Sequence, residues 1–270
     1  MTRIAKLDHL SVVSITGADA GTFLQSQLSA NLEAPDTGVA RITSWNSAAG
    51  KTIASPWLMG ERAGSHILIL PSSLTEVVVK RLRMFVLRSR VSIDIASDLG
   101  VFGTSDAELQ PEGTVAAAVP DGERPRRLFV ADAAFGPTDA SGEALVWWRE
   151  ADLRAGLPQV YPQTSEKFIP QMLNLDVLGG VSFDKGCYPG QEVIARARYL
   201  GRVKRRMHLF SGRGLEMPST GGPLGDLPSS TVVDACESDS GWLALAVLPG
   251  LPEALPAGIE AVPLPYSLPD

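Results

Sequence analysis

From residue 203 onward the chain carries short strand-like runs at near-regular spacing and no helical pattern. The runs cover 203–210, 231–236, 242–248 and 259–264, parted by Gly, Pro, Ser and Asp. That pattern predicts a small all-β module with a boundary near Gly201. Ahead of the boundary, helical and strand periods mix without regular alternation, which argues against a parallel βαβ layout. Strands are expected at 10–15, 39–45, 52–58, 66–70, 91–95, 99–103, 128–131 and 144–148. Helices are expected at 19–32, from a Ser73/Glu76 capping box onward with an apolar face of Leu74, Val77, Val78, Leu82, Phe85 and Val86, at 148–155 and at 191–199. Residues 105–126 read as loops around one short strand. Residues 157–185 read as irregular, and so long an irregular stretch in a compact domain is usually functional. The fold class expected is α+β, with residues 1–200 as one region and 201–270 as a C-terminal β-barrel.

At 270 residues and 44% apolar content the chain can bury a sizeable core. No apolar run approaches the roughly 18 residues of a membrane span, and the first residues show no signal-peptide pattern. The two cysteines, Cys187 and Cys236, lie too far apart in sequence to suggest a disulfide framework. A reducing cytoplasm is the location expected.

The net charge of −6 conceals an asymmetry. Arg196, Arg198, Arg202, Lys204, Arg205 and Arg206 form an acid-free run, and without these six the remainder carries −12. A second acid-free basic set is Lys80, Arg81, Arg83, Arg88 and Arg90. Each is read either as a solvated face or as an anion-binding face on an acidic body.

Just before the first run stands Lys185-Gly186-Cys187-Tyr188-Pro189-Gly190-Gln191-Glu192. Gly186 and Gly190 permit positive φ and close ligand approach. Cys187 precedes a predicted helix N-terminus and neighbours Lys185, both of which favour a thiolate. Against this stands the common fate of a free cysteine as a small buried apolar group, which is the reading for Cys236. A cluster needs about four thiolate or imidazole ligands, so this chain alone is not a conventional iron–sulfur holder. His9, His66 and His208 are too dispersed for a metal site.

The octapeptide, with Phe168-Ile169-Pro170-Gln171, Asn174-Leu175 and 179–184 before it, resembles the signature of the folate-binding YgfZ family, a branch of the glycine-cleavage aminomethyltransferase (GcvT-like) superfamily. Further likeness lies in Ile15-Thr16-Gly17-Ala18-Asp19 with Phe23-Leu24-Gln25, in Ala155-Gly156-Leu157-Pro158, and in 263–268. The resemblance implies three subdomains around a central hole that binds tetrahydrofolate. It implies a role in making or repairing iron–sulfur clusters, with iron–sulfur assembly proteins and client enzymes such as those that thiomethylate tRNA as partners. It makes Cys187 the functional thiol, assisted by Lys185, and Trp148 an aromatic near the folate. A second tryptophan position of the family falls here at Leu10. The folate contacts expected are Trp148, Tyr188, Gln191, Glu192, Arg196, Arg198, Arg202 and Arg205, with the arginines on the anionic glutamate tail.

Two rival functions are weighed. An aminomethyltransferase needs a carboxylate at the folate, yet Gly50-Lys51-Thr52-Ile53-Ala54-Ser55 contains none, and no acid lies between Asp36 and Glu61. Direct action on tRNA would use the basic stretches. The chain is acidic, with pI about 5.2, and shows no interleaved aromatic platform, so direct nucleic-acid contact is not expected.

Overall fold

The computed structural model describes all residues except 1–3, 34–37, 63–64, 120–124, 137, 140, 200, 228 and 270, and side chains in 60–65 are also left undescribed. Four helices and three main antiparallel sheets make up the described chain. The strands in chain order are β1 (Ile4–Lys6), β2 (Leu10–Thr16), β3 (Arg41–Ile42), β4 (Trp45–Asn46), β5 (Thr52–Ala54), β6 (Trp57–Arg62), β7 (Ser65–Pro71), β8 (Ser92–Ile95), β9 (Leu99–Thr104), β10 (Val115–Ala118), β11 (Arg127–Asp132), β12 (Arg206–Gly212), β13 (Thr231–Ser238), β14 (Gly241–Leu248) and β15 (Ile259–Val262). The helices are α1 (Ala20–Gln27), α2 (Ser72–Arg83), α3 (Glu143–Arg154) and α4 (Gln191–Tyr199), with a 3-10 turn at Pro170–Leu173.

The sheets run in the orders β3-β6-β7-β2-β8, β1-β9-β11-β10 and β13-β14-β12-β15, and β4 and β5 form a separate hairpin. The last sheet occupies the all-β region read from the sequence. Its edge strands, β13 and β15, do not pair with each other among the described residues. Strand β2 is covered on both faces: the adjacent Val12 and Val13, and Ile15, are buried, while Ser11 and Ser14 are partly exposed. One large apolar core joins the first two sheets to the helices and to one face of the third, and Phe210, Val232, Trp242 and Leu248 build a second core on the other face.

Several elements differ from expectation. Residues 144–148, read as a strand, belong to α3. Asp139 and Ser141 prepare its start, accepting the amides of Ala144 and Glu143 at 2.8 and 3.2 Å, and Gly142 turns the chain at φ +82°. Ala144, Trp148 and Ala151 then recur at helical spacing and are buried. The Ser73/Glu76 capping box does not form: the N-cap is Pro71, two residues before Ser73, and no side chain caps the helix. Val77 and Phe85, read as apolar-face residues, are largely exposed. Helix α1 ends at Gln27 rather than near residue 32, because Leu28 turns extended and bridges Trp45. Helix α3 ends as read, with Gly156 at φ +65° just past its last residue.

Helix α3 is tied to its neighbours by buried charge. The Arg149 guanidinium donates to Asp234 at 2.6 Å and to the Ala235 carbonyl at 3.0 Å, and the Tyr161 hydroxyl donates to the same carboxylate at 3.3 Å. His9 is close enough to feel Arg149; burial, then Arg149, pushes its pKa down to about 4, against a small opposing pull from Asp8. Burial raises Asp234 to about 6, opposed by Arg149.

The signs follow by linkage. As pH falls from about 6.5 to about 4 the unfolded chain protonates His9 while the folded chain resists, so stability is lost at about 1.4 kcal/mol per pH unit. Asp234 acts oppositely: the folded chain takes up its proton first, so stability is gained as pH falls from about 6 to 3.8. His9→Gln is therefore expected to gain stability relative to the native chain as pH drops from 6.5 to 4. Urea unfolding at three pH values checks this, and parallel curves for the two proteins would show that His9 does not titrate in this way.

Candidate functional site

The thiol loop is anchored on both sides of Cys187. Before it, the Lys185 ammonium donates to the carbonyls of Gln25, Leu28 and Ala30 at 2.5, 2.6 and 2.9 Å. The carbonyls of Gln25 and Leu28 are left without helical partners where α1 ends, and that of Ala30 follows in the extended chain just beyond. Burial lowers Lys185 to about 8, so it remains an ammonium at neutral pH and all three N–H groups are used. Its Nζ also lies 5.3 Å from the centre of the buried Tyr188 ring. Burial pushes the Tyr188 hydroxyl up to about 12.

After the cysteine, Gly190 adopts φ +77°. A Cβ there would lie 2.5 Å from both the Gly50 Cα and the Ser47 carbonyl. Gly50 is itself at φ +71°, and a Cβ on it would meet Val193 at 2.8 Å. The close approach that Gly190 permits is thus to the β4–β5 turn, not to a ligand. That turn is closed by Gly50 N–H to Ser47 O at 2.9 Å and by Ser47 N–H to Lys51 O at 2.8 Å. Beyond it, α4 is pinned by its buried Ile194, whose carbonyl accepts Gln171 Nε2 at 2.6 Å. Between these anchors Gly186 and Cys187 are exposed, and Cys187 is a free thiol. Cys236 is buried in β13, and burial raises its pKa to about 12.

The other expected site residues divide into two groups. Gln191 is half-buried, and Glu192, Arg196, Arg198 and Arg202 are exposed around α4. Arg198 stacks 4.1 Å from the centre of the Phe183 ring. Arg205 and Arg206, by contrast, serve the fold. Arg205 donates to the Ser229 carbonyl at 2.7 Å, and Arg206 makes a two-pronged pair with Asp176 at 2.7 and 3.0 Å and a bond to the Gln171 carbonyl at 2.7 Å. Trp148 is the clearest correction. It is only 2% exposed; a Cβ on Gly103 would sit 2.2 Å from its ring, and the Arg126 guanidinium lies 4.6 Å from a ring centre. A pterin has no open face there. Within the second basic set, Arg81, Arg83 and Arg90 pair with Glu166, Asp94 and Asp19.

Residues the sequence reading did not single out include Gly50, Gln171, and the buried pairs Arg126–Asp152 and Arg149–Asp234. In the sequence Gly50 only opens the stretch that lacks a carboxylate, and nothing there links it to Gly190, 140 positions away. Among the described residues no group of three or more His, Cys, Asp or Glu could hold a metal ion, and no helix is long and apolar enough to cross a membrane.

No protein-family model matches the chain. It is similar to the tRNA-modifying protein YgfZ of Klebsiella pneumoniae (strain 342), 32% identical over an alignment of 306 positions, gaps included, that covers 98% of this chain and 93% of the relative. It is also similar to the YgfZ protein of Colwellia psychrerythraea, at 28% identity over 80% of this chain and 74% of that one. Its fold matches the glycine cleavage system aminomethyltransferase T of Bartonella henselae with a TM-score of 0.68 and 13% identity, over 92% of this chain and 78% of that one. An anchored, exposed thiol loop on an aminomethyltransferase-like fold, with close sequence kinship along almost its whole length, places this chain in the YgfZ family.

Proposed function

We propose that this protein is a folate-binding accessory factor in iron–sulfur cluster assembly or repair, acting through Cys187 and supporting enzymes that modify tRNA. The observation that carries this reading is the thiol loop. Buried contacts fix Lys185, Tyr188 and Gly190, while the cysteine between them faces solvent. A loop so constrained offers its sulfur to another macromolecule in a set position, and one thiolate suits a cluster held mostly by a partner's ligands. The tRNA-modifying name carried by the relatives supports the destination.

The likeness in fold supports tetrahydrofolate, or a derivative, bound in a central hole, with 1–200 as the folate-binding region and 201–270 as the barrel subdomain. The residues present fit part of that ligand. Gln191 and Glu192, in the first turn of α4, offer an amide and a carboxylate to the pterin N–H groups. Arg196, Arg198 and Arg202 are exposed and have no carboxylate partner among the described residues, so they suit an anionic tail. The burial of Trp148 and the bond from Arg205 to the Ser229 carbonyl count against this role for both. Tetrahydrofolate would bring a one-carbon carrier to the site.

Methylene transfer fits less well, because the stretch where a carboxylate would stand is committed to structure. Ser55 donates to the Pro158 carbonyl and accepts the Val160 amide, both at 3.0 Å.

Cys187→Ser is the test. The residue is exposed, so folding stability should change by no more than about 0.5 kcal/mol, while iron–sulfur enzyme activity in a deletion strain should fall to the level of the empty vector. Full restoration by the serine protein would end the thiol reading. In a separate calorimetric titration, Arg196→Ala should weaken tetrahydrofolate polyglutamate binding about tenfold, the loss expected from one charge-assisted pair.

A further inference from the structure

We propose that the outer face of α4 and the segment after it bind RNA, with Tyr199 stacking on an unpaired base and Arg196, Arg202 and Lys204 holding the neighbouring phosphates. The sequence shows no aromatic platform here, because its parts lie apart. The fold assembles one. Tyr199 is 64% exposed, and its ring meets Phe183 edge to face at 6.1 Å. Arg198 fills the angle between them, 4.1 Å from the Phe183 centre and 5.8 Å from that of Tyr199. The exposed ring is thus held from the side with most of its surface open. Val193, Arg196 and Tyr199 recur every third residue and share one exposed stripe of the helix.

Charge favours a phosphate-bearing ligand. Arg196, Arg202 and Lys204 are exposed and have no carboxylate partner among the described residues. No acidic residue occurs between Glu192 and Glu216, although the whole chain carries −6. Within the second basic set Arg81, Arg83 and Arg90 are paired with carboxylates, so the acid-free segment after Glu192 is the stronger attractor for a polyanion on a chain of net charge −6. A held aromatic flanked by cations is the composition that stacks single-stranded bases and tracks their backbone. An acidic protein surface fits less well, because among the described residues Val193 is the only exposed aliphatic side chain of the patch, where a stable protein interface has an apolar centre. Helix α4 has nine residues, about 14 Å at 1.5 Å per residue, so RNA at its last turn would lie about one helix length from Cys187.

The proposal stands on α4 and does not rest on the thiol reading, but it uses Arg196 and Arg202, which the folate reading gives to the glutamate tail, so the two ligands compete for them. Its test is fluorescence anisotropy with a labelled single-stranded RNA of about twelve nucleotides, the same RNA annealed to its complement, and a labelled polyglutamate peptide, without folate. The single strand should bind more tightly than the duplex. Tyr199→Ala should weaken it about tenfold, as the loss of one stacked base implies, and Tyr199→Phe should restore it. Arg196→Gln/Arg202→Gln should flatten the salt dependence by about 1.4, at 0.7 per lost phosphate contact. Cys187→Ser should bind as the native protein does. No binding at about 200 µM protein in low salt, or an unchanged affinity in Tyr199→Ala, would overturn the proposal. Equal binding of polyglutamate, indifferent to Tyr199, would assign the face to an acidic protein instead. If RNA binding fails while Cys187→Ser still loses function in cells, only this proposal falls.

Discussion

Gly190→Ala is expected to destabilise the protein by about 3 kcal/mol and to abolish function in cells, although the side chain added is a single methyl. Two costs combine. A non-glycine residue at φ +77° is strained by about 1–2 kcal/mol. Its Cβ would then press to 2.5 Å on the Gly50 Cα and the Ser47 carbonyl, backbone atoms that cannot rotate away, and overpacking costs about 1–3 kcal/mol more. Relief requires the thiol loop to lift from the β4–β5 turn, and Cys187 moves with it. Gly186→Ala is the control. That glycine has nothing within 4 Å of a built Cβ and no positive φ, so the change should stay within about 0.5 kcal/mol. Urea unfolding of both variants decides the matter, and similar midpoints for the two would mean that the contact with Gly50 does not hold the loop.

Asp152→Ala is expected to cost about 3–5 kcal/mol, as removing one partner of a buried ion pair does. Arg126 Nη1 lies 2.6 Å from the Asp152 carboxylate, with 0% of the arginine side chain and 10% of the aspartate exposed. Burial pulls the Asp152 pKa up and Arg126 pulls it back, so the charged carboxylate depends on this guanidinium. The same guanidinium packs on Trp148. Losing the pair therefore disturbs the junction of α3 with β9, where the Trp148 ring lies against Gly103. The double variant Arg126→Met/Asp152→Leu should recover most of the loss, since apolar side chains of similar volume replace a buried pair at little net cost. A double variant as unstable as Asp152→Ala would show that the pair is bound into a wider network.

Much of the fold was legible because its signals are local. Helix α4 was read with its observed bounds, from an apolar period that follows a Pro-Gly turn, and the C-terminal strands were read from short apolar runs between turn residues. Residues 144–148 misled because Leu, Val and two Trp in a row carry no period by themselves. What makes them helical is the pairing of Asp139 and Ser141 with the amides of Ala144 and Glu143 and the burial of one side of the helix.

The candidate site was legible in a different measure. The octapeptide marked its place, yet letters of one kind proved to have opposite roles. Arg196 and Arg206 belong to one run of positive charge, but one is exposed and the other is locked to Asp176, thirty positions away. Lys185 was read as a cation for the thiol, and its ammonium turns instead to three carbonyls 155 to 160 positions away. Trp148 was read as an open aromatic face and is closed by Gly103 and Arg126.

The sequence by itself determined most of the elements, though not the start of α3 or the end of α1, and where a lone cysteine sits between two glycines ahead of a helix, since propensity and turn chemistry act over a few residues. Only the tertiary structure decided which charges are spent in the fold and which remain free. It also decided that Phe183, Arg198 and Tyr199 make one surface. The reason is that a buried polar group must find a partner wherever the chain brings one within about 3 Å, and sequence distance has no bearing on that.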